Sequence, residues 1–242
     1  MKSVKDYIGK SWSEALGEDG IKELEERMNI INAKRQSEEI LPLEDENSGV
    51  LYALKMTPFE SVKVVIFGQD PYPNKEDAHG LAFSKKSGKI PASLKNIFAK
   101  IKEDVGIENT NGNLTNWAKQ GVLLLNRALT FSKSESLAKR NKFWGPVINN
   151  IVDKLIERNK PLVIILWGNP ANEIEQFSFE KEEEYKKHKV YILRSSHPSN
   201  MGNAKNTPIF DGRIKSFMES NTFSECNRIL QNSGAEGIDW NT

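Results

Sequence analysis

Cysteine is almost missing from this chain: Cys226 stands alone among 242 residues. An intramolecular disulfide is thereby excluded, as is a zinc site built on cysteines, and a reducing, intracellular compartment is expected. An excess of one charge is missing too. The 34 Lys and Arg nearly balance the 33 Asp and Glu, for a formal net charge of +1. Bulk electrostatics therefore offers a nucleic acid nothing, and any grip on phosphates has to come from a local set of donors. No stretch approaches the roughly 18 consecutive apolar residues of a membrane span, and Met1–Lys10 has no apolar run of signal-peptide length. Apolar residues make up 38% and charged residues 28%, the balance of a soluble globular protein. A cytoplasmic protein with no membrane partner is expected. The histidines are His79, His188 and His197, and no two have the close spacing of a metal-binding pair.

What is present is a set of short apolar, β-branched runs: Val62–Phe67, Val122–Leu125, Leu162–Trp167 and Val190–Leu193. Nearly continuous runs of this length suit strands buried on both faces of a parallel sheet. Between them, Ser93–Val105 places Leu94, Ile97, Phe98 and Ile101 on one helical face, and Val147–Ile156 repeats the pattern. Ile21–Ile31 also reads as helix, Pro42–Gly49 as turns, and Glu180–Lys189 as a solvated helix or loop face. Alternating strands and helices predict an α/β fold: a single domain over residues 1–242, with a central four-stranded parallel sheet flanked by helices.

Polar residues gather where these strands end. The first is followed by Gly68-Gln69-Asp70-Pro71-Tyr72-Pro73 and the second by Asn126; the third ends at Gly168-Asn169, and the fourth runs into Ser195-Ser196-His197-Pro198-Ser199. Open parallel sheets bind ligands beyond the carboxyl ends of their strands. Parallel strands would thus bring Asp70, Asn126 and His197 to one rim, an arrangement that suits a small molecule or a base. Taken singly, each has a plainer account. Asp70 before Pro71 can organise a turn, Asn126 can end a strand, and a lone His197 can be structural. His188, in the charged tract, reads as a solvated residue.

Six motifs stand along the chain: Gly68-Gln69-Asp70-Pro71-Tyr72, Ala78-His79-Gly80-Leu81-Ala82-Phe83-Ser84, Pro91-Ala92-Ser93-Leu94, the run from Trp117 to Asn126, Leu166-Trp167-Gly168 and His197-Pro198-Ser199. Taken together, they resemble family 1 uracil-DNA glycosylase. They occur in the family's order, and the likeness extends from Ser11-Trp12 to Ile238-Asp239-Trp240. The resemblance implies hydrolysis of the bond between uracil and deoxyribose after the base is flipped out of the stack. Phe83 is then expected to stack on the base, Asn126 to pair with its N3–H and O4, Tyr72 to fill the space beside C5, and Gln69 to help line the pocket. Asp70 is expected to orient the attacking water and stabilise an oxocarbenium-like sugar. A neutral His197 would donate to uracil O2. Ser93 and Ser199 would hold phosphates through hydroxyl and backbone donors. No metal or organic cofactor is implied. The partners implied are uracil-containing DNA, single- or double-stranded, and a DNA-mimicking inhibitor protein, with the chain itself a monomer.

The chain departs from the family pattern in places. Pro73 stands where many members carry His, and it has no donor. Asn169 replaces a Ser that can likewise reach a phosphate. After Ser199 the family usually continues Pro-Leu-Ser, the Leu being a wedge into the duplex. Here Met201 takes that position, apolar and flexible enough for the task. The stretch from Gly202 to Phe223 is long for the family and carries Lys205, Arg213 and Lys215, which reads equally as a DNA-facing surface or a bystander insertion. Three rival readings stay open: a silent DNA-binding relative, a metal-dependent hydrolase using Asp70, His79 and His197, and a glycosylase with altered substrate preference.

Overall fold

The computed structural model describes residues 3–168, 177, 181–199 and 214–242. Its centre is a sheet of β1 (Val64–Gly68), β2 (Val122–Asn126), β3 (Leu162–Trp167) and β4 (Val190–Ser195), in the order β2-β1-β3-β4. All pairings are parallel, and Gly68 opposite Asn126 and Trp167 opposite Ser195 close the strands at the same, carboxyl, end of the sheet. Every residue of β1, β2 and β3 is buried, which is why these strands read as continuous apolar runs. β4 lies at an edge, and its middle four residues are only half-buried. The chain steps from β1 outward to β2 and then crosses to the other side of β1 to form β3. This reversal opens a crevice beyond the carboxyl ends of β1 and β3, the place where such sheets take ligands.

The helices among the described residues are α1 (Val4–Ile8), α2 (Lys10–Lys34), α3 (Tyr52–Met56), α4 (Ala92–Val105), α5 (Thr115–Lys119), α6 (Leu137–Glu157), α7 (Glu182–Lys187) and α8 (Thr222–Asn232). Boundaries move relative to the sequence reading for local reasons. β1 begins at Val64 because Phe59–Ser61 winds into a 3₁₀ turn first. α6 starts well before Val147: the Ser136 side chain caps it by accepting from the Lys139 amide, and Pro146 is accommodated within the helix. α2 starts before Ile21 and bends at Gly17, whose φ of 68° is foreign to a helix. The tract around α7 is largely exposed as read, apart from Tyr185, which packs edge-on against Phe177.

The chain ends are pinned to the core by tryptophans. Trp12 donates to the Thr57 carbonyl (2.8 Å) and meets Phe59 edge-on. Trp240 packs at right angles to Trp117, with ring centres 5.1 Å apart. Among the described residues no helix is long and apolar enough to cross a membrane.

Candidate active site

Gly68 and Asn126 are register partners at the ends of the two adjacent strands β1 and β2. A Cβ on Gly68 would lie 2.2 Å from Asn126 Oδ1 and 2.7 Å from Ala82 Cβ. Only glycine lets the Asn126 amide lie this close over the neighbouring backbone. Asn126 is 5% exposed, and no described group donates to its Oδ1. A buried acceptor without a donor costs about 1–3 kcal/mol. A site that keeps such an atom is prepared for a ligand N–H.

The segment after β1 closes back on itself around this point. Tyr72 donates its hydroxyl to the Phe83 carbonyl (3.0 Å), and burial pushes its pKa up to about 12, so it stays a neutral donor. Phe83 has a φ of 62°, a left-handed conformation that costs an aromatic residue on the order of 1–3 kcal/mol. Its neighbours hold it there: Ala82 N–H donates to the Leu124 carbonyl, and Ser84 N–H to the Leu81 carbonyl. The Phe83 ring lies edge-on to Trp167 (5.3 Å) and tilted to His197 (5.9 Å).

His79 is buried within the same segment. Its Nε2 meets Ser84 Oγ at 2.7 Å, Ser84 Oγ also accepts from the Leu114 amide, and the imidazole hydrogen-bonds the Asn47 backbone. Its partners make it a tie between three chain segments. Burial pulls its pKa down to about 4. Above the ordinary value near 6.5 both folded and unfolded chains carry a neutral ring, so stability is full there. Below it the unfolded chain takes up the proton first. About 3 kcal/mol of stability should therefore drain away between pH 6.5 and 4, levelling off below. Urea unfolding at pH 7 and pH 4.5 should show this loss shrinking in His79→Gln; an equal loss in both proteins would refute the assignment.

His197 follows β4, stacked over Gly168, where a Cβ would sit 2.8 Å from the His197 Cβ. The Ser199 amide donates to His197 Nδ1 (3.0 Å), which leaves the proton of the neutral ring on Nε2. Burial lowers the His197 pKa below the ordinary imidazole value. The ring is thus a neutral donor at physiological pH. Asn96, one turn beyond Ser93 on α4, donates to the Pro198 carbonyl (2.7 Å) and ties this loop to the helix.

Asp70 completes the rim. One oxygen, Oδ2, is 2.8 Å from Arg140 Nη1, and Oδ1 accepts from Gln69 Nε2 at 3.3 Å. The resulting cavity of about 220 Å³ is lined by Gln69, Asp70, Tyr72, Phe83, Ser93, Asn126 and His197. It is smaller than the roughly 300 Å³ at which drug-sized ligand pockets begin. A flat base fits this scale. Seven residues predicted separately from strand ends and motifs therefore share one wall. The match to the Uracil DNA glycosylase superfamily runs over residues 54–231, taking in all four strands and the whole lining of this cavity. The chain belongs to this superfamily.

Uracil DNA glycosylase relatives resemble it almost end to end. The uracil-DNA glycosylase of Enterococcus faecalis is 38% identical over 240 residues, covering 98% of this chain and 97% of its own. The solved mimivirus uracil-DNA glycosylase superposes with a TM-score of 0.73 at 25% identity, covering 96% of this chain and 82% of its own. A variant of mimivirus UNG, solved in complex with UGI, shares the fold with a TM-score of 0.75 at 21% identity, covering 99% of this chain and 92% of its own. Within this glycosylase-family site, Ser199 stands behind His197 rather than in the cavity wall. Asn169, Met201, Lys205 and Arg213 lie outside the described residues; Lys215 is exposed. Among the described residues no group of three His, Cys, Asp or Glu could hold a metal ion. Asn96 and Arg140 join the site without a motif of their own in the sequence. The spacing of Asn96 from Ser93 was a usable clue, whereas nothing near Arg140 points to Asp70.

Proposed function

We propose that this chain is a DNA-repair hydrolase that releases uracil from DNA by cleaving its N-glycosidic bond. The observation that carries the reading is the buried Asn126 Oδ1, without a donor among the described residues, in a base-sized cavity that also holds a neutral His197 and a carboxylate. Uracil offers an N–H at N3 flanked by carbonyls at C2 and C4. Asn126 Oδ1 accepts the first and its amide N–H₂ donates to O4, a pairing that cytosine cannot match. Phe83 stacks on the flipped base, a contact worth about 1–3 kcal/mol. Tyr72, locked by its bond to the Phe83 carbonyl, occupies the space that thymine's methyl group needs, and Gln69 lines the same wall.

In the reaction the C1′–N1 bond breaks with its electron pair leaving on uracil. Charge that builds at O2 meets the Nε2–H of His197, kept neutral by burial and held in that tautomer by the Ser199 amide. Asp70 faces the cationic sugar and accepts a hydrogen bond from the water that adds to C1′. Ser93, Ser199 and Asn169 take the DNA phosphates as uncharged donors, which suits a chain of net charge +1. Met201 serves as the wedge. The chain works as a monomer inside the cell on single- and double-stranded DNA. The UGI complex of a structural neighbour supports a DNA-mimicking inhibitor protein as a further partner. No metal or cofactor takes part in these steps.

The test is uracil release from matched single- and double-stranded oligonucleotides with a strong chelator present. Release from both is expected. No release from either would overturn the reading.

A further inference from the structure

Asp70 is held by a residue from a distant part of the chain. Arg140 lies in the first turns of α6, and its side chain reaches back to place Nη1 2.8 Å from Asp70 Oδ2. The same nitrogen donates to the Thr130 carbonyl (3.2 Å), and the guanidinium carbon sits 4.8 Å over the Phe131 ring. Phe131 in turn exchanges two backbone hydrogen bonds with Leu41. Trp144, one turn further along α6, donates to Thr130 Oγ1 (2.8 Å). The arginine is thereby held by two neighbours, Thr130 and Phe131, each anchored in turn, before it touches the carboxylate.

Its setting is a poor one for stability alone. Arg140 is 5% exposed, and its Nε has no partner among the described residues. Burying a guanidinium with a donor unmet is costly, and a buried ion pair is often matched or exceeded by apolar side chains of similar volume. An arginine retained there is explained by what it does to Asp70. Pro73, which follows Tyr72 in the same loop, offers no side-chain donor, so the described contacts of the carboxylate are Arg140 and the longer bond from Gln69. The strong contact takes Oδ2, and the weakly held Oδ1 remains for a water.

Building on the glycosylase reading above, we propose that Arg140 is a positioning residue. It locks the Asp70 carboxylate so that Oδ1 is presented to the attacking water and the sugar. Misplacing a reacting group by about 1 Å can cost roughly a hundredfold in rate, and that sets the scale of the effect.

The experiment is single-turnover uracil release from a uracil oligonucleotide by wild type, Arg140→Gln, Arg140→Lys, Asp70→Asn and the double variant Arg140→Gln/Asp70→Asn. Arg140→Gln should lower the maximal rate about 10- to 100-fold while the half-saturating substrate concentration stays within about threefold. Arg140→Lys, which keeps a cation within reach of Oδ2, should fall between Gln and wild type, and it serves alone if the Gln variant does not fold. In the Asp70→Asn background the Gln change should add less than about threefold, since residues acting as one unit are not additive. Equal losses in both backgrounds would mean a merely structural role and overturn the proposal. So would a wild-type rate for Arg140→Gln or, if that variant does not fold, for Arg140→Lys, with Asp70→Asn impaired; the glycosylase reading would survive in either case. A wild type that releases no uracil would take both down.

Discussion

Asp70→Asn should slow uracil release on the order of a thousandfold, a loss near 4 kcal/mol of transition-state stabilisation. The substitution keeps the shape of the side chain, and an amide oxygen can still accept from Arg140. What disappears is the full negative charge facing a sugar that becomes cationic, together with the strong acceptor for the water's proton. DNA affinity should be unchanged or slightly tighter, because one negative charge leaves a surface that faces phosphates. Single-turnover cleavage beside fluorescence anisotropy on an uncleavable duplex separates the two quantities. A rate within about tenfold of wild type would remove Asp70 from its assigned role; a parallel collapse of affinity would make it a binding residue.

Asn126→Asp should cut discrimination of uracil over cytosine by about two orders of magnitude. Asn126 lies 5% exposed at the strand end, with its Oδ1 held close over the Gly68 backbone. It cannot swing away from a mismatched base. A carboxylate in that place still accepts from N3–H but turns an acceptor toward uracil O4, a buried clash worth about 1–3 kcal/mol or more when charged. Its protonated form offers a donor to cytosine N3 and an acceptor to the cytosine amino group. Release of uracil and of cytosine from otherwise identical oligonucleotides measures the ratio. An unchanged ratio would show that base identity is read elsewhere in the cavity.

How much of this was legible beforehand varied with the range of the interaction involved. Buried runs such as Leu162–Trp167 are recognisable because a strand covered on both faces needs apolar side chains at every position. The polar residues after them fall on one rim because parallel strands all end on the same side of the sheet. The segment from Gly68 to Ser84 carries its own chemistry, since the Tyr72 bond to Phe83 and the His79 bond to Ser84 join residues close in sequence. The start of α6 was harder. The apolar pattern marks the helix only from Val147, and it begins ten residues earlier at Leu137, with Val147, Ile151 and Leu155 continuing one buried face from Trp144.

By itself, then, the sequence determined the strands, α4, parts of α2 and α6, and the residues lying at the strand ends, while α3, α5 and α8 had no counterpart in it. Hydrophobic periodicity, turn chemistry and short motifs depend on neighbours a few positions apart. The order β2-β1-β3-β4, the close approach of Asn126 to Gly68, the structural duty of His79 and the Arg140 clamp on Asp70 were decided only in the tertiary structure. Each of these brings together groups from separate segments. Whether such groups meet depends on how helices and strands pack, and a Ser136 cap or a Phe131 ring betrays nothing of that until the chain is folded.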